Sequence, residues 1–362
     1  MKKHLLLDCH LLAVLGFWLL ALALHAQVVT KEGYIPVPGG RVWYQVLGAD
    51  KPGVPLLVLH GGPGSGSGAF GNFTALADER PVILYDQLGC GKSDRPDNPG
   101  LWTLGRYVEE LDAVVRALGY PKLHLLGHSW GTTLATEYVL TKHPAQIISL
   151  IESSPWLDTK RWIADAKRYV AELPPPARAA FKLENATDPA SQRIYQQAVS
   201  YYYSLHVWRN RPAVVTWPNG FGQQPYETMW GQNETTSTGN MKNYSRSASL
   251  KNLTLPVLYL CGRYDEATPA STAYFQRHTP QSRLVVFENA SHTAYREVPD
   301  EYLHRARVFA PALKSTFYLS AHAHFPLSLA AAACFDGLRP KPGGGPDGGR
   351  AALPHHRFRK GR

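Results

Sequence analysis

Six short apolar runs, at residues 55–59, 82–85, 123–126, 147–151, 256–260 and 284–287, constrain the fold of this chain more than any other feature. Each is too short for a core helix, and none alternates as a half-exposed strand does. Such runs are expected of strands buried on both faces. Helix-like segments separate several of them. The clearest runs from Thr103 to Leu118, where Tyr107, Leu111, Val114 and Leu118 follow at steps of four, three and four as one apolar stripe. Strands alternating with helices predict an α/β fold with a doubly wound, mostly parallel sheet. Residues 40–48 alternate instead, as an opening antiparallel strand would.

The rhythm breaks between residues 156 and 249. This stretch has no buried-strand signal, many aromatics, and helix-like segments interrupted by Pro174-Pro175-Pro176. Residues 201–208 read as helical, with their rings packed into a core. The stretch is expected to be a helical cap inserted into a sheet domain made of residues 32–155 and 250–310. A helix near 270–278 and a last one from Pro299 to Phe309 complete that domain. Residues 311–362 are rich in Ala, then His and Pro, then Gly, a composition that cannot build a core by itself and is expected to be disordered.

Both ends bear on where the protein acts and on what. Met1-Lys2-Lys3-His4 is basic, residues 11–24 are apolar, and small residues follow at Ala21, Ala23 and Ala26. That is the pattern of a signal peptide over residues 1–26, and it predicts export to the periplasm or the medium. An uncleaved signal anchor is the alternative. Asp8 and His10 keep the stretch short of a full membrane span, so no stable anchoring is expected. The formal charge of +10 suggests a nucleic-acid partner, but residues 311–362 hold eight Lys/Arg against two Asp/Glu and supply most of it. The remainder is spread thinly, without a basic stripe, and no nucleic acid is expected. Cys9, Cys90, Cys261 and Cys334 stand at unrelated spacings that suit neither a zinc site nor a disulfide framework. Six N-x-S/T sequons, at Asn72, Asn185, Asn233, Asn243, Asn252 and Asn289, matter only in a eukaryotic secretory pathway.

The chemistry starts at Gly127-His128-Ser129-Trp130-Gly131, which lies between the run at 123–126 and a helix-like segment at 132–140. Strand, G-x-S-x-G, helix is the context of a nucleophile elbow, where small flanking residues permit a tight turn that exposes the serine. A serine nucleophile needs a base, an orienting acid and oxyanion donors. Asp265 and His292 follow the runs at 256–260 and 284–287, so both sit just past strand ends and in the chain order Ser, Asp, His. Glu266 is the alternative acid, and His128 or His60 the alternative base. His60-Gly61-Gly62-Pro63-Gly64 follows the run at 55–59, where a glycine turn can aim a backbone N–H at the substrate oxygen. Gly62 and Trp130 are the nominated donors. A phosphate cradle is disfavoured, because no G-K-S/T follows and no helix opens within the loop. No metal and no cofactor are implied.

With these residues in place the chain resembles the proline iminopeptidase family of α/β-hydrolase-fold serine aminopeptidases. Asp86-Gln87-Leu88-Gly89-Cys90-Gly91-Lys92-Ser93, the stretch from Gly262 to Pro269, and the cap segment from Tyr226 to Glu234 with Thr238-Gly239 carry the likeness further, over about residues 32–310. The resemblance implies acidic side chains that hold the substrate's α-amino group, at Glu234 and Glu266. Three positions depart from the family pattern: Thr132 where a glycine is frequent, Tyr244 or Ser245 where an Asp is, and Thr235 where an aromatic is. The expected reaction is removal of an N-terminal proline, or another small apolar residue, from short peptides or amides through an acyl-enzyme. An esterase of the same fold and a non-catalytic ligand-binding homologue are the alternatives. The oligomeric state is not legible.

Overall fold

Each of the six apolar runs forms a strand, and two more strands precede them. The structure, a computed structural model, describes residues 28–209, 211 and 220–309. The expected signal segment, 1–26, and the expected tail, 311–362, lie outside the described residues. The strands are β1 (Thr30–Val37), β2 (Gly40–Leu47), β3 (Leu56–Leu59), β4 (Val82–Tyr85), β5 (Leu123–His128), β6 (Ile147–Ser153), β7 (Val257–Gly262) and β8 (Ser282–Phe287). They form one sheet in the order β1-β2-β4-β3-β5-β6-β7-β8. β2 runs antiparallel to both β1 and β4, and all the other pairs are parallel. Every residue of β3, β4, β5 and β7 is buried, as expected of strands covered on both faces, His124 and His128 of β5 included. β1 is absent from the sequence reading. It is an edge strand on which only Ile35 is buried, so it leaves almost no hydrophobic pattern.

Helices cover both faces. α1 (Leu104–Leu118) begins at Thr103, whose hydroxyl accepts the Arg106 N–H, and ends at Gly119 in the left-handed conformation. Its stripe of Tyr107, Leu111 and Val114 packs on one face of the sheet with Leu134 and Tyr138 of α2 (Trp130–Lys142). The opposite face carries Phe70, Phe73 and Leu76 from a 3-10 segment, Ser67–Leu76, beside the Tyr302 ring.

Between β6 and β7 the chain holds four helices and no sheet strand among the described residues: α3 (Thr159–Glu172), α4 (Pro175–Ala180), α5 (Pro189–His206) and α6 (Gln223–Met229). Asp158 pins both ends of this insertion. Its carboxylate caps α3 through the Arg161 N–H and accepts the hydroxyls of Ser245 and Ser247. After β7 come α7 (Pro269–Arg277), then α8 (Ala294–Glu297) and α9 (Pro299–Phe309) past β8. The loops after β3, β5, β7 and β8 all leave the sheet at the carboxyl ends of its parallel strands, where open α/β sheets place their sites.

Candidate active site

Ser129 occupies the turn between β5 and α2 at φ 54°, a strained conformation for a residue with a side chain. Two close approaches hold the turn there. A Cβ at Gly127 would overlap the Gly131 carbonyl, and a Cβ at Gly131 would overlap the Leu59 carbonyl on β3. The Ser129 N–H donates to the Ser153 carbonyl at 2.9 Å, which ties the turn to the end of β6. Thr132 has a local task that explains its presence where a glycine would fit. Its hydroxyl lies 2.6 Å from the Ser129 carbonyl oxygen, and it accepts the Trp156 N–H at 3.0 Å.

The β7 and β8 loops bring Asp265 and His292 together. His292 Nδ1 lies 2.9 Å from Asp265 Oδ1, which fixes Nδ1 as the protonated nitrogen and leaves Nε2 to accept. Asp265 is fully buried, and its carboxylate also accepts the N–H groups of Ala267 (2.8 Å) and Gly262 (3.3 Å). Ser154 Oγ sits 2.7 Å from Asp265 Oδ2 and 3.0 Å from the His292 carbonyl oxygen. That carbonyl also accepts from His128 Nε2 at 2.9 Å. Ser129 and His292 line one cavity, and among the described residues the serine hydroxyl makes no hydrogen bond to the imidazole.

The alternatives weighed from sequence are engaged elsewhere. Burial, with the His292 ring close by, pushes the His128 imidazole well below its ordinary pKa, and its Nε2–H is spent on the His292 carbonyl. His60 is also buried and its pKa lowered. Its Nδ1–H reaches the Gly61 carbonyl at 2.9 Å, and its Nε2 accepts the Gln87 N–H at 3.0 Å. Glu266 lies on the other edge of His292, with Oε1 3.9 Å from Nε2, so Asp265 alone meets Nδ1.

Gly62 has φ 111°, and a Cβ there would crowd the backbone nitrogens of Gly64 and Ser65. Among the described residues neither its N–H nor that of Trp130 donates to a protein acceptor. Gln87 holds the two donor segments together. Its Nε2–H donates to the His60 carbonyl at 3.0 Å, and its Oε1 accepts the Trp130 indole N–H at 2.8 Å. Neither Gln87 nor Ser154 carries a role in the sequence reading. Both follow strand ends, β4 and β6, and that position was the available signal.

Glu234 and Glu266 face the same cavity, of about 310 Å³, one from the cap and one from the β7 loop. An Asx turn shapes the Glu234 segment: Asn233 Oδ1 accepts from the N–H and hydroxyl of Thr235, so Thr235 replaces an aromatic with a backbone brace. Glu234 Oε1 accepts the Tyr226 hydroxyl at 2.8 Å. Glu266 is 1% exposed, and among the described residues neither carboxylate oxygen has a hydrogen-bond partner. Burial raises the pKa of both carboxyls. For Glu266 the rise is large, and Glu234 and then Asp265 add to it by charge repulsion.

A strand-end serine elbow, a His–Asp pair and an inserted cap define a class, and the chain belongs to it: the model of the α/β hydrolase fold family matches residues 54–298. The proline iminopeptidase of Heyndrickxia coagulans is 44% identical over 279 residues, covering 75% of this chain and 96% of that protein. That of Lactobacillus crispatus (strain ST1) is 36% identical over 282 residues, 76% of this chain and 96% of its own. The crystal structure of the Mycobacterium smegmatis proline iminopeptidase superposes with a TM-score of 0.70 at 33% identity, over 78% of this chain and 98% of that one. The chain is a member of the proline iminopeptidase family.

Proposed function

We propose that this protein is a serine aminopeptidase that releases N-terminal proline, or another small apolar residue, from short peptides and amino-acid amides. Ser129 Oγ attacks the carbonyl carbon after the first residue as His292 Nε2 takes its proton. The hydroxyl closes onto Nε2 when substrate fills the cavity, a tightening common to such pairs. Asp265 orients His292 and stabilises the imidazolium. The N–H groups of Gly62 and Trp130 hold the oxyanion. The C–N bond then breaks and the His292 proton passes to the leaving amine. In the second half His292 deprotonates a water that attacks the acyl carbon, and Ser129 leaves with the proton.

The observation that carries the aminopeptidase reading is Glu266, a buried carboxylate with no hydrogen-bond partner among the described residues, facing Glu234 across the serine's cavity. A substrate ammonium, primary or the secondary one of an N-terminal proline, beside the two groups offsets both the burial and the repulsion that raise their pKa values. The test is a panel of aminoacyl chromogenic amides, with free and N-acetylated prolyl forms, on wild type, Ser129→Ala and Glu234→Ala. Ser129→Ala is expected to be inactive. Glu234→Ala is expected to lose on the order of 10-fold or more, on free-amine substrates only. Equal turnover of acetylated and free substrates by wild type would point to an esterase or amidase instead. The basic-then-apolar pattern of residues 1–26 supports export, and N-terminal sequencing of protein recovered outside the cytoplasm should begin near residue 27.

A further inference from the structure

The cap helix α5 ends directly on the two loops that carry the acid and the base. The last carbonyls of a helix have no partner within it and must find one outside. The carbonyl of His206, the final residue of α5, takes two: the Glu266 N–H at 3.3 Å and the His292 N–H at 3.1 Å. One oxygen from the cap thus bridges the β7 and β8 loops. The His206 side chain adds a second tie to the β7 loop, since its Nδ1 donates to the Tyr264 carbonyl at 2.9 Å. Its ring is held in place by stacking on Tyr169 of α3, with centroids 3.9 Å apart and planes 9° off parallel.

The chain then continues along the β8 loop. The Val207 carbonyl accepts the Thr293 N–H at 3.1 Å and lies 3.1 Å from the Thr293 hydroxyl. Two residues later the Arg209 N–H donates to Glu297 Oε1 at 3.0 Å. The same carboxylate accepts the Ser291 N–H at 2.7 Å and the Ser291 hydroxyl at 2.6 Å, so it clasps the residue before His292. Residues 206–209 therefore run beside 291–293, fastened at His206, Val207 and Arg209.

We propose that His206 is a positioning residue for the reaction: its side chain, anchored on the Tyr264 carbonyl and stacked on Tyr169, sets where the end of α5 presents the backbone carbonyl that keeps the Asp265–Glu266 loop and His292 in mutual register. The inference rests on Ser129, His292 and Asp265 acting as assigned above. A misplacement of about 1 Å between reacting groups can cost on the order of 100-fold in rate, so a tie spanning both loops acts on turnover more than on binding. Glu297, which fastens the same segment to the Ser291 side, belongs to the same device.

The test uses the full chain. His206→Phe keeps a ring for Tyr169 and removes the N–H donor, while His206→Asn restores an N–H near the Nδ1 position. Two readouts are compared: turnover of a prolyl chromogenic amide, and the rate at which an amine-free fluorophosphonate labels Ser129. His206→Phe is expected to lower kcat about tenfold with KM within about twofold, and to slow labelling by the same factor. His206→Asn is expected to recover most of both. A folded His206→Phe protein with wild-type kcat and labelling overturns the proposal, whatever its thermal midpoint. Loss on the amide with labelling unchanged also overturns it, because the effect would then lie with Glu266 alone. Should His206→Phe not fold, Glu297→Gln is read in its place, with labelling expected to slow several-fold and unchanged labelling counting against the device. Wild-type protein inert to both reagents would sink the hydrolase reading rather than the positioning role.

Discussion

Glu266 is the residue least at ease in this fold. Its carboxylate is buried and has no hydrogen-bond partner among the described residues, and Glu234 and Asp265 repel its charge. Its carboxyl pKa is raised in the folded state, so the folded protein keeps a proton that the unfolded chain releases. The sign follows from linkage: stability is fully present below the unfolded carboxyl pKa, about 4.3, and falls as pH rises towards the folded value. Glu266→Gln removes the ionisable group and keeps the shape. It is expected to flatten the loss of stability that sets in as pH rises above the ordinary carboxyl range towards neutrality. The same variant should lose activity on free-amine substrates. Thermal midpoints of both proteins across that pH range decide it, and parallel curves would refute the linkage. At this scale the sequence pointed to strand ends, and the structure brings Asp265 and His292 together there, with Ser129 and His292 lining one cavity. The sequence was silent on Ser154 and Gln87, because a serine or glutamine in a loop looks the same whether or not it braces an acid or an oxyanion donor. Glu234 and Glu266 were legible through the family resemblance, since nothing in their local pattern marks a buried, unpaired carboxylate.

Among the elements, the elbow depends most on steric fit. β5, α2 and β3 approach so closely that Gly127 and Gly131 have backbone where a Cβ would be. Gly131→Ala therefore pushes α2 away from β3 and moves the Trp130 N–H with it. The expected cost is about 1–3 kcal/mol from overpacking, together with a loss of turnover larger than the loss of stability implies. Urea unfolding and kcat measured on the same preparation test this, and a variant with wild-type values for both would contradict the packing argument. The buried strands and α1 were readable because a doubly buried strand and an amphipathic helix leave distinct periods in the sequence. β1 left none, since an edge strand with one buried side chain has no period to read. The Ser67–Leu76 segment was missed for a related reason: Phe70, Phe73 and Leu76 pack at steps of three within a glycine-rich stretch that reads as loop. In the cap the sequence showed a change of rhythm and a helix over 201–208, of which 201–206 lie in α5. The cap's tertiary ties, such as Asp158 to Ser245 and His206 to Tyr264, join residues far apart in sequence and have no local signature.

At the scale of the whole molecule, the described residues hold eight strands, the α-helices of the cap and the residues that line the cavity. The Heyndrickxia coagulans relative is matched over 96% of its length by only 75% of this chain, so the family's shared machinery leaves a substantial part of the sequence over. Residues 311–362, beyond the stretch 54–298 that the family model matches, carry eight Lys/Arg and two Asp/Glu and so most of the formal charge of +10. Charge concentrated outside the catalytic unit affects solubility and non-specific association, not the fold or the reaction. A segment whose composition cannot build a core by itself is one whose removal is expected to be tolerated. A chain ending at residue 310 is therefore expected to keep kcat/KM on prolyl amides within about twofold, while eluting from a cation exchanger at markedly lower salt. Measuring both on the two chains separates the possibilities. Retained activity with earlier elution assigns the basic segment to surface behaviour alone, and a large drop in kcat/KM would mean that it reaches the site.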